Sequence, residues 1–168
     1  MNNNALAFIA LGNEYCQAVE NAREVERHDF VLTITRLLPR IYIAASDLSA
    51  ESILTEEMYI NPVLEEDYYE SVRLGLEQLF GPEDTYLEVF EDDMKYSDTP
   101  IAASIAEGLT DIFQSLYNLL ENIKDATDDM AQALLVAAKE EFESYWSRVL
   151  CNVMRPLNAI RFSPDAEE

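Results

Sequence analysis

The chain has 168 residues, 49% of them hydrophobic, and carries 33 acidic against 11 basic side chains for a formal net charge of −22. A surface this negative repels phosphate backbones and anionic headgroups, which argues against nucleic acid and against a membrane as partners and favours a basic protein. With only 4 Gly and 6 Pro the chain is poor in turn formers, which favours one domain of long helices over many short strands.

The N-terminal "MNNNALAFIALGNEYC" has no basic n-region and no A-x-A-like cleavage site, so it does not read as a signal peptide. No stretch reaches the roughly 20 apolar residues that a membrane span needs, and a cytoplasmic location is expected. Cys16 and Cys151 are far apart and form no C-x-x-C, so two reduced thiols are expected rather than a disulfide.

Helical periodicity organises the rest. From about residue 4 to 26, Phe8, Leu11, Tyr15, Val19 and Ala22 form one stripe. From about 29 to 46 the stripe is Phe30, Ile34, Leu37, Leu38, Ile41, Tyr42 and Ala45, with Asp29 placed as an N-cap. Pro39 lies within it and removes one backbone hydrogen bond while crowding the carbonyl of Thr35. Two helices or one kinked helix would both fit a proline here. The stripe keeps its phase across Pro39, which projects about 180° from Phe30, so a single helix kinked at Pro39 is expected.

Residues 47–62, "DLSAESILTEEMYINP", read as the longest irregular segment, tethered through Ile53, Leu54, Met58 and Tyr59. A helix over about 63–80 follows, on Tyr68, Tyr69, Val72, Leu76 and Leu79, and Gly81-Pro82 ends it. A short helix over about 84–94 is expected to turn Tyr86, Leu87, Val89, Phe90 and Met94 inward. "SDTP" then reads as a helix start, with Thr99 as N-cap and Pro100 at the first helical position. Its stripe is Ile101, Ile105, Leu109, Ile112, Leu116, Leu119 and Ile123. "KDATDD" makes a turn. A last helix over about 127–155 carries Met130, Leu134, Ala138, Phe142, Tyr145, Val149 and Val153, with Pro156 at its end and an acidic disordered tail at 163–168. No segment shows strand alternation. The expectation is an all-α fold, a single-domain antiparallel bundle of five to six helices over 1–162.

The phrases "NEYCQAVEN", "LLPRIYIA", "YYESVRLGL", "YLEVFEDDMKYSDTPIAASIAEGLTDIFQSL" and "FESYWSRVLCNVMRPL" together resemble the bacterial family known as domain of unknown function 5063. They run in matching order from residue 13 to about 157. The resemblance implies an all-helical, cytoplasmic bacterial protein, and it carries no established activity, cofactor or catalytic residue.

The acidic stretch 86–111 is the candidate for chemistry. On a helix over 84–94, Glu88, Glu91 and Asp92 share one face, and Glu107 and Asp111 are i and i+4 neighbours on the next helix. Carboxylates facing across two helices suit Mg²⁺ or Mn²⁺, hard ions that take oxygen ligands. The arrangement is similar to the acidic metal site of all-helical nucleotide pyrophosphohydrolases of the MazG type, whose second element is Glu-x-x-Asp. Here that element is Glu107-x-x-x-Asp111. Measured from Ile101, the apolar stripe centres near about 50°, whereas Glu107 and Asp111 project near about 240° and 280°. They belong to the outer face, and a site there requires some other segment to cover it.

Other handles give less. Asp98 and Thr99 fit helix capping, which explains both without a ligand. His28, the single histidine, reads as an exposed residue at a helix junction. Zinc sites need His and Cys clusters, and the sequence has none; nor does it carry a P-loop, G-x-S-x-G or G-x-G-x-x-G. The tyrosines are expected to pack between helices, with an aromatic groove for a peptide helix as the alternative. Arg73 and Arg148 are expected to form salt bridges between helices. Two functional expectations follow: a non-enzymatic regulator or adaptor acting through protein–protein contacts without a cofactor, or a Mg²⁺- or Mn²⁺-dependent hydrolase of phosphorylated small molecules.

Overall fold

The computed structural model describes residues 1–54, 56–88 and 101–164. In chain order they form α1 (Asn3–Glu20), a 3-10 turn (Ala22–Glu24), α2 (Arg27–Ser46), an irregular strap (47–54 and 56–65), α3 (Glu66–Phe80), β1 (Thr85–Glu88), β2 (Ile101–Ser104), α4 (Ile105–Ile123), α5 (Asp128–Glu141), a π-helical turn (Phe142–Trp146) and α6 (Ser147–Arg161). The fold is predominantly α-helical, as the periodicity indicates.

Side-chain contacts fix the directions of the helices. Asn4 donates to the Ala44 carbonyl, so the start of α1 meets the end of α2. Tyr68 stacks edge-on against Phe113 and Tyr117, while Asp84 just beyond α3 accepts from the Ala106 amide, so α3 and α4 also run antiparallel. Tyr42 meets Phe142, and Arg161 donates to Thr35 Oγ1, which sets α2 against the π turn and α6 in the same sense. The central element is α4, which packs against α1, α3, α5 and α6. Ile105, Leu109, Ile112 and Phe113 are fully buried along it. Where α4 crosses α6, a Cβ on Gly108 would lie 2.4 Å from Val153 Cγ1, so only glycine permits this approach.

The helix ends follow local chemistry. Asn2 caps α1 through the Ala5 amide, and Thr127 caps α5 through the Met130 amide. Gly81 takes φ 57° after α3, the positive φ expected at that position. α2 continues through Pro39, which faces solvent as its phase requires. It begins two residues before the sequence suggests, with Glu26 in the N-cap position and Asp29 in the first turn.

Several expectations require correction. Residues 85–88, expected in a helix, form an antiparallel pair with 101–104, matching Thr85 to Ser104 and Glu88 to Ile101. Four residues are too few to display alternation, and the partner strand "IAAS" has helix-favouring alanines that cross-strand pairing overrides. Consequently the α4 helix starts at Ile105, with Ser104 rather than Thr99 as its N-cap. Thr99, Pro100 and Asp98 lie outside the described residues.

The last helix also differs. It does not stop at Pro156 but runs to Arg161. Val153 and Leu157 on either side of the proline are fully buried. At about 1.5–3 kcal/mol for each such side chain, their burial offsets a proline penalty of about 3 kcal/mol. The π turn changes the phase as well. Ala138, Phe142, Trp146 and Leu150 are buried at successive steps of four, whereas Met130 and Tyr145 from the expected stripe are 40% and 39% exposed. Steps of four drift by about 40° each on an α-helix, and the wider π turn takes up that drift.

The strap is the last correction. Ile53 and Tyr59, expected as tethers, are 77% and 75% exposed. Met58 packs against the core as expected, and Ile60 and Leu64 take the places of the other two. Asn118 Oδ1 accepts from the Val63 and Leu64 amides, and Asn122 exchanges hydrogen bonds with the backbone of Asn61. At the other end Lys139 Nζ donates to the Ser46 and Leu48 carbonyls.

Candidate functional site

Two clefts bear on function. The first is built around the outer face of α4. The second strand runs directly into that helix, and a cleft of about 300 Å³ beside them is lined by Glu88, Glu107, Asp111, Tyr86, Tyr145 and Arg148, among others. Three of the five candidate carboxylates therefore line one cleft, with Glu107 still exposed. The other two, Glu91 and Asp92, lie outside the described residues. Among the described residues no group of three or more His, Cys, Asp or Glu side chains is placed to hold a metal ion.

The hydrogen bonds explain how these carboxylates are held. Tyr69 Oη donates to Asp111 Oδ1 at 2.6 Å, and Tyr86 Oη donates to Glu88 Oε1 at 3.0 Å. The π turn directs Tyr145 toward the same Asp111. Burial, then the Asp111 charge and its hydrogen bond, push the Tyr145 hydroxyl up to about 12. Burial followed by the hydrogen bond to Asp111 pushes Tyr69 higher still. Both phenols thus stay protonated and act as donors to a carboxylate that remains half-buried. Glu107 is exposed, on the outer face its phase predicts. Arg148 lies beside Tyr145, and no salt bridge among the described residues includes it. Arg73 pairs within its own helix, with Glu70 at 3.0 Å and Glu77 at 2.6 Å, and not between helices.

The second cleft is a groove of about 760 Å³ between the strap and α5. Sequence reasoning did not find it, because its two walls are far apart in the chain. Along α5 and into the π turn the groove is lined by Ala133, Val136, Ala137, Glu140, Glu141 and Ser144, positions that fall on one helical face. The strap supplies Leu54, Met58, Tyr59 and Ile60 together with Glu51, Glu56 and Glu57. The result is an apolar floor with five glutamates around it. Tyr59 is the aromatic member, its hydroxyl donating to Glu57 at 3.1 Å.

The remaining candidates have ordinary positions. His28 is exposed in the first turn of α2. Cys16 is buried and Cys151 exposed, both free, and burial followed by the Glu20 charge raises the Cys16 thiol to about 12. Tyr68 donates to Glu20 across α3 and α1. Among the described residues no helix is long and apolar enough to cross a membrane.

These features define an acidic, predominantly α-helical bundle with a small hairpin and an acidic groove. The chain belongs to the family described as Domain of unknown function (DUF5063), whose model matches residues 1–163. Its fold is similar to that in the crystal structure of protein BF1032 from Bacteroides fragilis, with a TM-score of 0.80 and 26% identity, covering 98% of this chain and 96% of that one. No curated protein matches the chain.

Proposed function

We propose that this protein acts as a cytoplasmic regulator or adaptor that works through protein–protein contacts with a basic partner. The observation that carries this reading is the groove between the strap and α5, where an apolar floor and surrounding glutamates form a concave surface. The net charge of −22 supports it by steering positively charged partners toward the molecule. Affinity capture with the tagged full-length chain from cells that naturally produce it, at about 50 mM and about 500 mM salt, tests the proposal. A partner of high isoelectric point that is retained at low salt and released at high salt is expected. No reproducible partner at low salt would sink it.

A second reading, a Mg²⁺- or Mn²⁺-dependent hydrolase of phosphorylated small molecules, is favoured by Glu88, Glu107 and Asp111 lining one cleft. It needs Glu91 or Asp92 to complete a ligand set, and it needs the metal to displace the tyrosine donors from Asp111. Calorimetry with each ion decides it. Micromolar binding abolished by Glu107→Gln with Asp111→Asn supports the reading, and binding that is absent or unchanged removes it.

A further inference from the structure

The groove between the strap and α5 restricts its occupant further. We infer that it receives a basic amphipathic helix of a partner protein, laid along α5 with apolar side chains on the alanine floor and lysines or arginines against the glutamate rim. This inference rests on the protein–protein reading proposed above and deepens it.

Three observations carry it. First, Ala133, Val136 and Ala137 are spaced i, i+3 and i+4, and the same face continues one turn later in Glu140 and two turns later in Ser144. This is the stripe that a helix uses to pack against another helix, and here the described structure places only the irregular strap beside it. Small side chains let a second helix approach closely. Second, the charge is one-signed: Glu51, Glu56, Glu57, Glu140 and Glu141 line the groove, and no basic side chain among the described residues does. An apolar peptide alone would leave that field uncompensated, whereas an amphipathic basic helix satisfies both floor and rim. Third, the groove is pre-formed. The strap is pinned at one end by Lys139 and at the other by Asn118 and Asn122, and Gln132 Nε2 reaches the Glu51 carbonyl. Little ordering cost then falls on this side of the interface.

The test uses the full chain and a defined probe, a synthetic Leu/Lys peptide of roughly 18 residues (about 27 Å as a helix) with leucines at helical spacing. Its scrambled isomer has the same charge without the apolar face. Binding is followed by fluorescence anisotropy and by amide chemical shifts. The amphipathic peptide is expected to bind at least about tenfold more tightly than the scramble, a difference of about 1.4 kcal/mol. Its largest shifts should fall on residues 133–144 and on the strap. Glu56→Lys with Glu57→Lys and Glu140→Lys, and separately Ala137→Trp, should each weaken binding at least about tenfold, with circular dichroism confirming that the variants remain folded. Glu14→Lys with Glu121→Lys and Asp125→Lys, which changes the net charge equally but outside the groove, should weaken it less than about threefold.

Equal binding of the scramble, equal weakening by the remote triple variant, or shifts spread over the acidic surface would overturn the inference in favour of generic charge attraction. Self-association abolished by Ala137→Trp would overturn it in favour of a second copy of this chain. The two proposals fail separately. A captured natural partner that cross-links away from α5 and the strap removes the groove assignment and leaves the adaptor reading intact. Failure to capture any partner removes the adaptor reading, even where the synthetic helix binds.

Discussion

At the scale of single residues, the tyrosines decide more than their number suggests. Tyr15 is fully buried and donates to the Leu109 carbonyl at 2.6 Å, joining α1 to α4. Burial, then the charges of Cys16 and Asp111, raises its hydroxyl well above the usual 10.0. Its contribution to stability is therefore fully present below about pH 10. As pH rises from there toward the folded-state value, that contribution is lost, because the unfolded chain releases a proton that the folded chain keeps. A single such group gives a slope of up to about 1.4 kcal/mol per pH unit. In urea titrations between pH 8 and pH 11, the wild type should lose stability steadily above pH 10. Tyr15→Phe should flatten that loss while costing about 1 kcal/mol at neutral pH for the missing hydrogen bond. An unchanged slope in the variant would show that Tyr15 is not responsible. The residue scale also shows where the sequence was informative: Tyr15 was legible from spacing, whereas Tyr42 and Tyr145, placed in their stripes by the same rule, are 41% and 39% exposed. The pairing of Tyr69 with Asp111 was not, since it joins residues 42 apart in the chain.

At the scale of elements, the hairpin is the feature that sequence patterning missed, and Asp84 holds it. Its carboxylate is buried, accepts from the Ser104 hydroxyl at 2.6 Å and accepts from the Ala106 amide at 2.7 Å. One side chain thus ties the end of α3 to the second strand and caps the first turn of α4. Ser104 adds its own cap through the Glu107 amide. Asp84→Ala removes two hydrogen bonds to a charged acceptor and should destabilise by about 2–3 kcal/mol in chemical denaturation. Faster amide exchange at Ala106 and Glu107 should accompany it. Asp125→Ala, at an exposed turn, should stay within about 0.5 kcal/mol and serves as the comparison. The other element-scale departures have one cause. Pro156 and the π turn both look like places where a helix should stop or slip when read locally. Buried neighbours, Val153 and Leu157 in one case and Phe142 and Trp146 in the other, supply the burial that keeps each helix going.

At the scale of the whole molecule, charge and topology act together. With 33 acids against 11 bases, most of the surface repels the same partners, and the groove is where that field meets an apolar floor. The charge, the helical class and the periodic core of α1, α2 and α4 were written in composition and spacing. Both rest on local physics: every third or fourth residue must share a face, and a buried face must be apolar. The family resemblance was legible in contiguous phrases for the same reason, and the match over residues 1–163 accords with it. Which outer faces become clefts was not legible. The cleft beside Glu107 and Asp111 takes its other wall from the strand pair 85–88 and 101–104, and the groove comes from residues 50–54 and 56–60 meeting residues 133–144. Such meetings depend on which distant surfaces bury one another best, and no local period records that choice. The sequence by itself determined that this is an acidic helical bundle. Tertiary packing alone decided that Asp111 lines a cleft with the hairpin and meets two tyrosines there, and that the face of α5 opens into an acidic groove.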